Sequence, residues 1–173
     1  MSEMRVLTVR QPWATAILRM GKTVENRTRD LTGGYRGPIA IHAGLAQPGR
    51  RGDRIDYGHG IEVEKDLSGL LMRSEKSWPY RLPLGAIIGV VDLIDVHGSN
   101  DEQCERFSFF GGAQGACSDW AELGAWHFEL ANPRPLPHPI PFKGALGLRR
   151  LPDEVHDQIV FQLAREHVEG TNA

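Results

Sequence analysis

Residues Arg10 to Arg27 read RQPWATAILRMGKTVENR, and the rest of the chain is organised around how this stretch folds. Gln11 ends a preceding extended run. Pro12 stands where a first helical residue belongs, because its missing N–H is not needed there. Trp13, Ala16, Ile17 and Met20 recur at i, i+3, i+4 and i+7, the stripe of a two-turn amphipathic helix. Gly21 is placed for a left-handed residue after the helix, and Arg19 suits the last turn electrostatically. A helix this short is marginal alone in water, so packing of its stripe must hold it. Beyond it, Lys22 to Thr28 reads as extended chain, with Thr23, Glu25 and Arg27 on one face and Val24 and Asn26 on the other. The excursion from strand to helix and back brings Arg10, Lys22, Glu25 and Arg27 toward one place. The expectation is one wall of a polar cleft.

Outward from this stretch, Met4 to Arg10 alternates as a strand, and so does Gly37 to Ala43, where Ile39 and Ile41 alternate with Ala40 and His42. Leu84 to Val96 is the longest apolar run and reads as the central strand, with Gly85 and Gly89 marking a bend or bulge. Ala125 to Ala131 and Gly144 to Arg150 read as further strands, joined by a proline-rich connection, NPRPLPHPIPFKG. Pro152 opens a C-terminal helix over 152–168 with Val155, Ile159 and Leu163 as its stripe. Between them, 44–80 reads as an insertion, with a loop over 47–57 and a helical pattern over 61–76. About six short strands, few helices and no strand–helix–strand rhythm predict an α+β domain built on an antiparallel β-barrel. One domain over 1–173 is expected, with its core at 4–151.

The composition, 40% hydrophobic and 24% charged over 173 residues, is that of an ordinary globular protein. No apolar run is long enough to span a membrane, and the N-terminus has no signal-peptide stretch, so a cytoplasmic protein is expected. The net charge of −2 argues against an indiscriminate nucleic-acid binder. The charge is uneven, however. Residues 1–60 carry ten Lys and Arg against five acids, while 61–125 carry five against eleven. A basic first third is compatible with a local phosphate-binding face.

Lys22 beside Glu25 and two arginines can bind a phosphate or polarise a carbonyl, and crowding by cations would lower its proton affinity toward that of a base. A solvated ion-pair cluster, worth only about 0–1 kcal/mol per pair, is the plainer alternative. Trp13 reads as core, whereas Tyr35, Trp78 and Tyr80 lie in loops where an aromatic ring can stack on a base. Ser118 can cap a single turn through Glu122. The GGAQGA loop lacks the spacing of a nucleotide cradle, and there is no GxSxG elbow. Cys104 and Cys117, thirteen apart, are expected as two thiols rather than a disulfide. Cys117 with His127 as nucleophile and base has nothing to single it out. His97, Cys104, Cys117 and His127 can be written as a ligand set, but neither CxxC nor HxxxH spacing appears. No metal and no cofactor are predicted.

Taken in order, four motifs resemble the ASCH family, domains named for homology to activating signal cointegrator. They are LTVRQPWATAILRMGKTVENR, YRGPIAIHA, PLGAIIGVVDLIDV and HFELANPRPLPHPIPFKGALGLRRL, together covering most of 4–151. The resemblance implies a PUA-like β-barrel of about six strands with flanking helices. It also implies engagement of nucleic acid, chiefly RNA, in a cleft lined by Arg10, Gln11, Pro12, Trp13, Lys22, Thr23, Glu25 and Arg27, with Lys143 near the closing strand. Some small bacterial relatives remove the acetyl group from acetylated cytidine, using a Lys, a Thr three residues later and a distant Glu. Lys22 matches that Lys, but Glu25 stands at the Thr position, and Glu102, Glu105 and Glu122 are candidates for the distant acid. Binding of RNA or a nucleoside is the first reading, and amide hydrolysis by Lys22 and Glu25 the second.

Overall fold

The computed structural model describes residues 3–45, 82–101, 104 and 117–170. Its elements follow in the order β1 (Arg5–Val9), α1 (Trp13–Arg19), β2 (Val24–Arg27), β3 (Gly37–Ala43), β4 (Ala86–Gly98), β5 (Trp126–Pro141), β6 (Leu148–Arg150) and α2 (Asp153–Gly170). The expected helix over 61–76, the aromatics Trp78 and Tyr80, the GGAQGA loop, Glu102 and Glu105 lie outside the described residues.

The six strands form one sheet of order β2-β5-β4-β3-β1-β6. The architecture is α+β, as expected, but the antiparallel barrel needs two corrections. First, β1 and β3 pair in parallel, from Arg5 opposite Ile39 to Val9 opposite Ala43. The chain leaves β1 through α1 and β2 and returns beside β1, a crossover that delivers the new strand in the same direction. Second, the sheet stays open, with β2 and β6 as its edges. These edges are four and three residues long, short enough to offer little ladder for a further strand.

Period-two alternation sends side chains to both faces, and each face is covered by one helix. Leu7, Val9, Ile39, Ile41 and Leu93 pack with Ile17 and Leu18 of α1. Val6, Ala40, Ile87 and Val90 pack with Ile159 of α2, flanked by Val155 and Leu163, the stripe read from the sequence. Burial of a side chain such as Ile159, which has no exposed surface, contributes roughly 1.5–3 kcal/mol.

The proline-rich stretch after residue 131 is not a connection. β5 runs unbroken from Trp126 to Pro141 and pairs with β4 over most of its length. Prolines 133, 135, 137, 139 and 141 recur every second residue, so an alternating strand places their missing donors along one edge. β2 pairs only with Trp126–Glu129, which leaves that edge uncovered beyond it. A strand there loses no ladder hydrogen bond to its prolines. Asn132 (φ 51°) sits at the register shift between Val90 and Asp92, and its amide donates to Asp92 Oδ2 at 2.8 Å.

The expected irregularity at Gly89 is also present, as a register shift between Ile87 and Gly89. Its cause is a close approach. A Cβ on Gly89 would lie 2.6 Å from both Leu18 methyl carbons and 2.9 Å from the Arg134 carbonyl oxygen. Gly89 therefore sets how near α1 lies to β4 and β5.

Candidate functional site

The segment after α1 turns sharply inward. Gly21 takes a left-handed φ of 70°, as its position predicts, and the Lys22 N–H returns to the Ala16 carbonyl at 3.2 Å. That turn carries the Lys22 side chain under the protein surface, where it is 5% exposed. Its Nζ donates to the Val24 carbonyl and lies 3.7 Å from Glu25 Oε2. The same ammonium stands 5.5 Å from the Trp13 ring centroid and 5.6 Å from that of Trp120, and the two indoles meet edge to face at 6.2 Å. Burial lowers the Lys22 pKa and Arg27 adds to the lowering, while Glu25 and Glu122 oppose it.

Glu25, itself 8% exposed, is shared: its Oε1 lies 3.0 Å from Arg27 Nη2. Arg27 also donates to the Thr8 carbonyl at 2.7 Å, and its buried Nε has no hydrogen-bond partner. Of the four residues that the sequence brings toward one place, Lys22, Glu25 and Arg27 meet, as a buried network rather than a solvated ion pair, while the Arg10 side chain does not join them. Thr23 is exposed beside it, with its hydroxyl 3.0 Å from that of Ser118.

Other residues of the stretch have different places. Gln11 is 3% exposed and its amide is engaged within the fold, accepting from Thr15 N–H and Oγ1 at 3.2 and 3.0 Å and donating to the Pro83 carbonyl at 3.0 Å. Arg10 is exposed at the end of β1, where its carbonyl accepts from Ala14. Lys143 is exposed on the loop after β5. That loop borders the cluster through Thr8, whose hydroxyl donates to the Ala145 carbonyl at 3.1 Å. Tyr35 packs its ring under Arg5 at 4.4 Å and holds its hydroxyl 2.7 Å from the Glu3 and Pro38 carbonyls, so its face is already covered.

Trp120 is the site residue that sequence reading missed. It sits in a turn capped by Ser118, whose Oγ accepts from Trp120 N–H at 3.2 Å. Asn26 of β2 clamps that turn from the other side, donating to the Trp120 carbonyl at 2.8 Å and accepting from Glu122 N–H at 3.1 Å. Nothing local in CSDWAELG marks the indole as part of a site. Only the pairing of β2 with β5 brings it over Lys22.

A second convergence lies on the far side of the same turn. His97 and His127 face each other directly across β4 and β5, with ring centroids 5.4 Å apart. The sulfurs of Cys104 and Cys117 each lie 3.4 Å from His127 Nδ1. One donor atom from each of these four residues falls within 4.8 Å of all the others. The two cysteines form no disulfide. Burial, with Cys104 beside it, pushes the Cys117 thiol up to about 12, which makes it a poor nucleophile in the absence of a cation.

No protein-family model matches the sequence, and no curated protein matches it. Among solved structures, a mutant form of the ASCH protein of Zymomonas mobilis overlays with a TM-score of 0.50 at 17% identity, over 92% of this chain and 97% of that one. The fold is that of an ASCH domain. A second crystal structure of the Zymomonas mobilis ASCH protein overlays with a TM-score of 0.45 at 19% identity, covering 91% and 94% of the two chains. In this fold Lys22 lies on the short segment between α1 and β2. Among the described residues no helix is long and apolar enough to cross a membrane.

Proposed function

We propose that this protein binds RNA or a nucleoside at the Lys22 cluster. The observation that carries this reading is the buried Lys22 ammonium, set against the rings of Trp13 and Trp120 and beside Glu25. Burying a cation costs several kcal/mol unless it is repaid, and a folding role alone would be served better by an apolar side chain. Two indoles beside a cation and a carboxylate provide a stacking surface together with a donor and an acceptor, the chemistry that reads an unstacked base. Arg27 belongs to the cluster and Thr23 adjoins it, offering donors for phosphate or base edges, and the exposed Arg10 and Lys143 would add charge for phosphate. Gln11 acts from within, holding the start of α1 and so the position of Trp13. Binding should weaken steeply with salt, because phosphate contacts release counterions. Fluorescence titration of short single-stranded RNAs at 50 and 200 mM salt, following tryptophan emission, checks this. Affinity that is absent for every RNA and nucleoside tested refutes the proposal.

A second reading, amide hydrolysis on an acetylated nucleoside such as acetylated cytidine, is favoured by the lowered proton affinity of Lys22. Lys22 would be the base, Glu25 its orienting partner, and Glu122, whose charge acts on Lys22, the distant acid. Acetate release from acetylated cytidine should then be catalytic in the wild type and absent in Lys22→Ala. Equal rates in the two proteins rule the chemistry out.

A further inference from the structure

The four-residue convergence behind the Trp120 turn is not used by the proposed ligand site, and it has the composition of a metal centre. We propose that His97, Cys104, Cys117 and His127 bind one zinc ion in a closed tetrahedral Cys2His2 site. The site ties the connection between β4 and β5 to the sheet and sets the position of Trp120.

The donor geometry fits. A tetrahedral zinc with sulfur at about 2.3 Å and nitrogen at about 2.0–2.1 Å separates neighbouring S and N donors by about 3.6 Å. The two observed sulfur-to-Nδ1 distances, both 3.4 Å, agree with that edge. Both thiols converge on a single nitrogen, an arrangement that hydrogen bonding between neutral groups does not favour and a shared cation explains.

The outer partners prepare the two imidazoles for this role. His127 Nε2 lies 2.8 Å from the Glu122 carbonyl oxygen, which can only accept, so that nitrogen carries the proton. The lone pair is left on Nδ1, where the sulfurs are. His97 Nδ1 lies 3.2 Å from Asp95 Oδ2, which likewise assigns the proton to Nδ1. His97 Nε2 is then a bare lone pair, and it is buried with no hydrogen-bond partner, on a residue only 1% exposed. A buried acceptor left without a donor costs free energy comparable to a lost hydrogen bond, and a metal ion removes that cost. Carboxylate–histidine and carbonyl–histidine pairs are the usual outer support of zinc-bound imidazole.

The chemistry of the set selects the ion. Two thiolates and two imidazoles in tetrahedral array suit zinc, and they leave no open position for a substrate, so the role is structural. Two ligands come from a cross-strand pair and two from the connection between those strands. The ion therefore closes a loop whose return arm carries Ser118, Trp120 and Glu122 to the Lys22 cluster. The zinc proposal does not depend on which ligand that cluster takes.

The full-length protein, purified without chelator and reconstituted with zinc, should contain one zinc per chain by inductively coupled plasma mass spectrometry. Bound zinc should protect both thiols from alkylation until a chelator is added. Cobalt(II) added to the metal-stripped protein should give the visible bands of a tetrahedral thiolate complex with sulfur-to-cobalt charge transfer. Cys117→Ser should lose about half of that charge-transfer intensity, a readout that survives even if the variant is less stable. Folded wild-type protein that holds less than about 0.1 zinc per chain and shows octahedral cobalt spectra overturns the proposal, as does a Cys104–Cys117 disulfide in protein purified under reducing conditions.

Discussion

Lys22→Met is expected to weaken ligand binding roughly ten- to hundredfold, the worth of a charge-assisted hydrogen bond, while leaving the melting temperature at or above that of the wild type. The two halves of this result have separate causes. The ammonium is held under the surface against its solvation, and burial is the largest influence on its pKa. Methionine has a similar length, packs well against indole rings and has no charge to desolvate. Removing one partner of a buried ion pair usually costs several kcal/mol because the other is stranded. Here Glu25 keeps Arg27 at 3.0 Å, so it is not stranded. The reverse variant behaves differently. Glu25→Ala removes the nearest countercharge of both Lys22 and Arg27 and should lower the melting temperature. Titration of the ligand together with thermal unfolding of both variants separates the roles. A Lys22→Met protein that melts well below wild type would make Lys22 part of the scaffold rather than of the site.

Gly89→Ala is expected to destabilise the fold by about 1–3 kcal/mol, the usual cost of overpacking, and for a chain of this length that lowers the melting temperature by about 2–4 °C per kcal/mol. The new methyl would meet Leu18 at 2.6 Å and the Arg134 carbonyl at 2.9 Å. The leucine tip can turn aside, but the backbone oxygen of β5 cannot move without disturbing its register with β4. The displaced Leu18 belongs to α1, so the same change should move Trp13 and weaken ligand binding. Differential scanning calorimetry and the same titration measure the two effects. Unchanged melting would mean that α1 does not rest on β4 at this point.

Much of the local structure was legible because its causes are local. Helix α1 and strand β3 appear where the residue pattern puts them, although α1 ends at Arg19, before Met20, and buries Ala14, Thr15 and Leu18 as well as Ala16 and Ile17 of its stripe. Val155, Ile159 and Leu163 of α2 face the sheet as their spacing predicts. The convergence of Lys22, Glu25 and Arg27 was legible for the same reason, since a helix of seven residues followed by Gly21 leaves little freedom in where Lys22 returns. The prolines of β5 misled for a physical reason. Proline argues against a strand only where its N–H is needed, and that depends on which neighbour covers the edge.

By itself, then, the sequence determined most of the elements, though not the second half of β5, together with the face of α2 that covers the sheet and the first charged stretch of the site. Tertiary structure alone decided the parallel pairing of β1 with β3, the open edges, the placement of Trp120 over Lys22 and the meeting of His97, Cys104, Cys117 and His127. These features rest on pairings between distant parts of the chain, such as β2 with β5 and His97 opposite His127. No periodicity in a short window records such pairings. Strand order and register are set by the burial of both sheet faces at once, so four ligands without any familiar spacing can still arrive at one point.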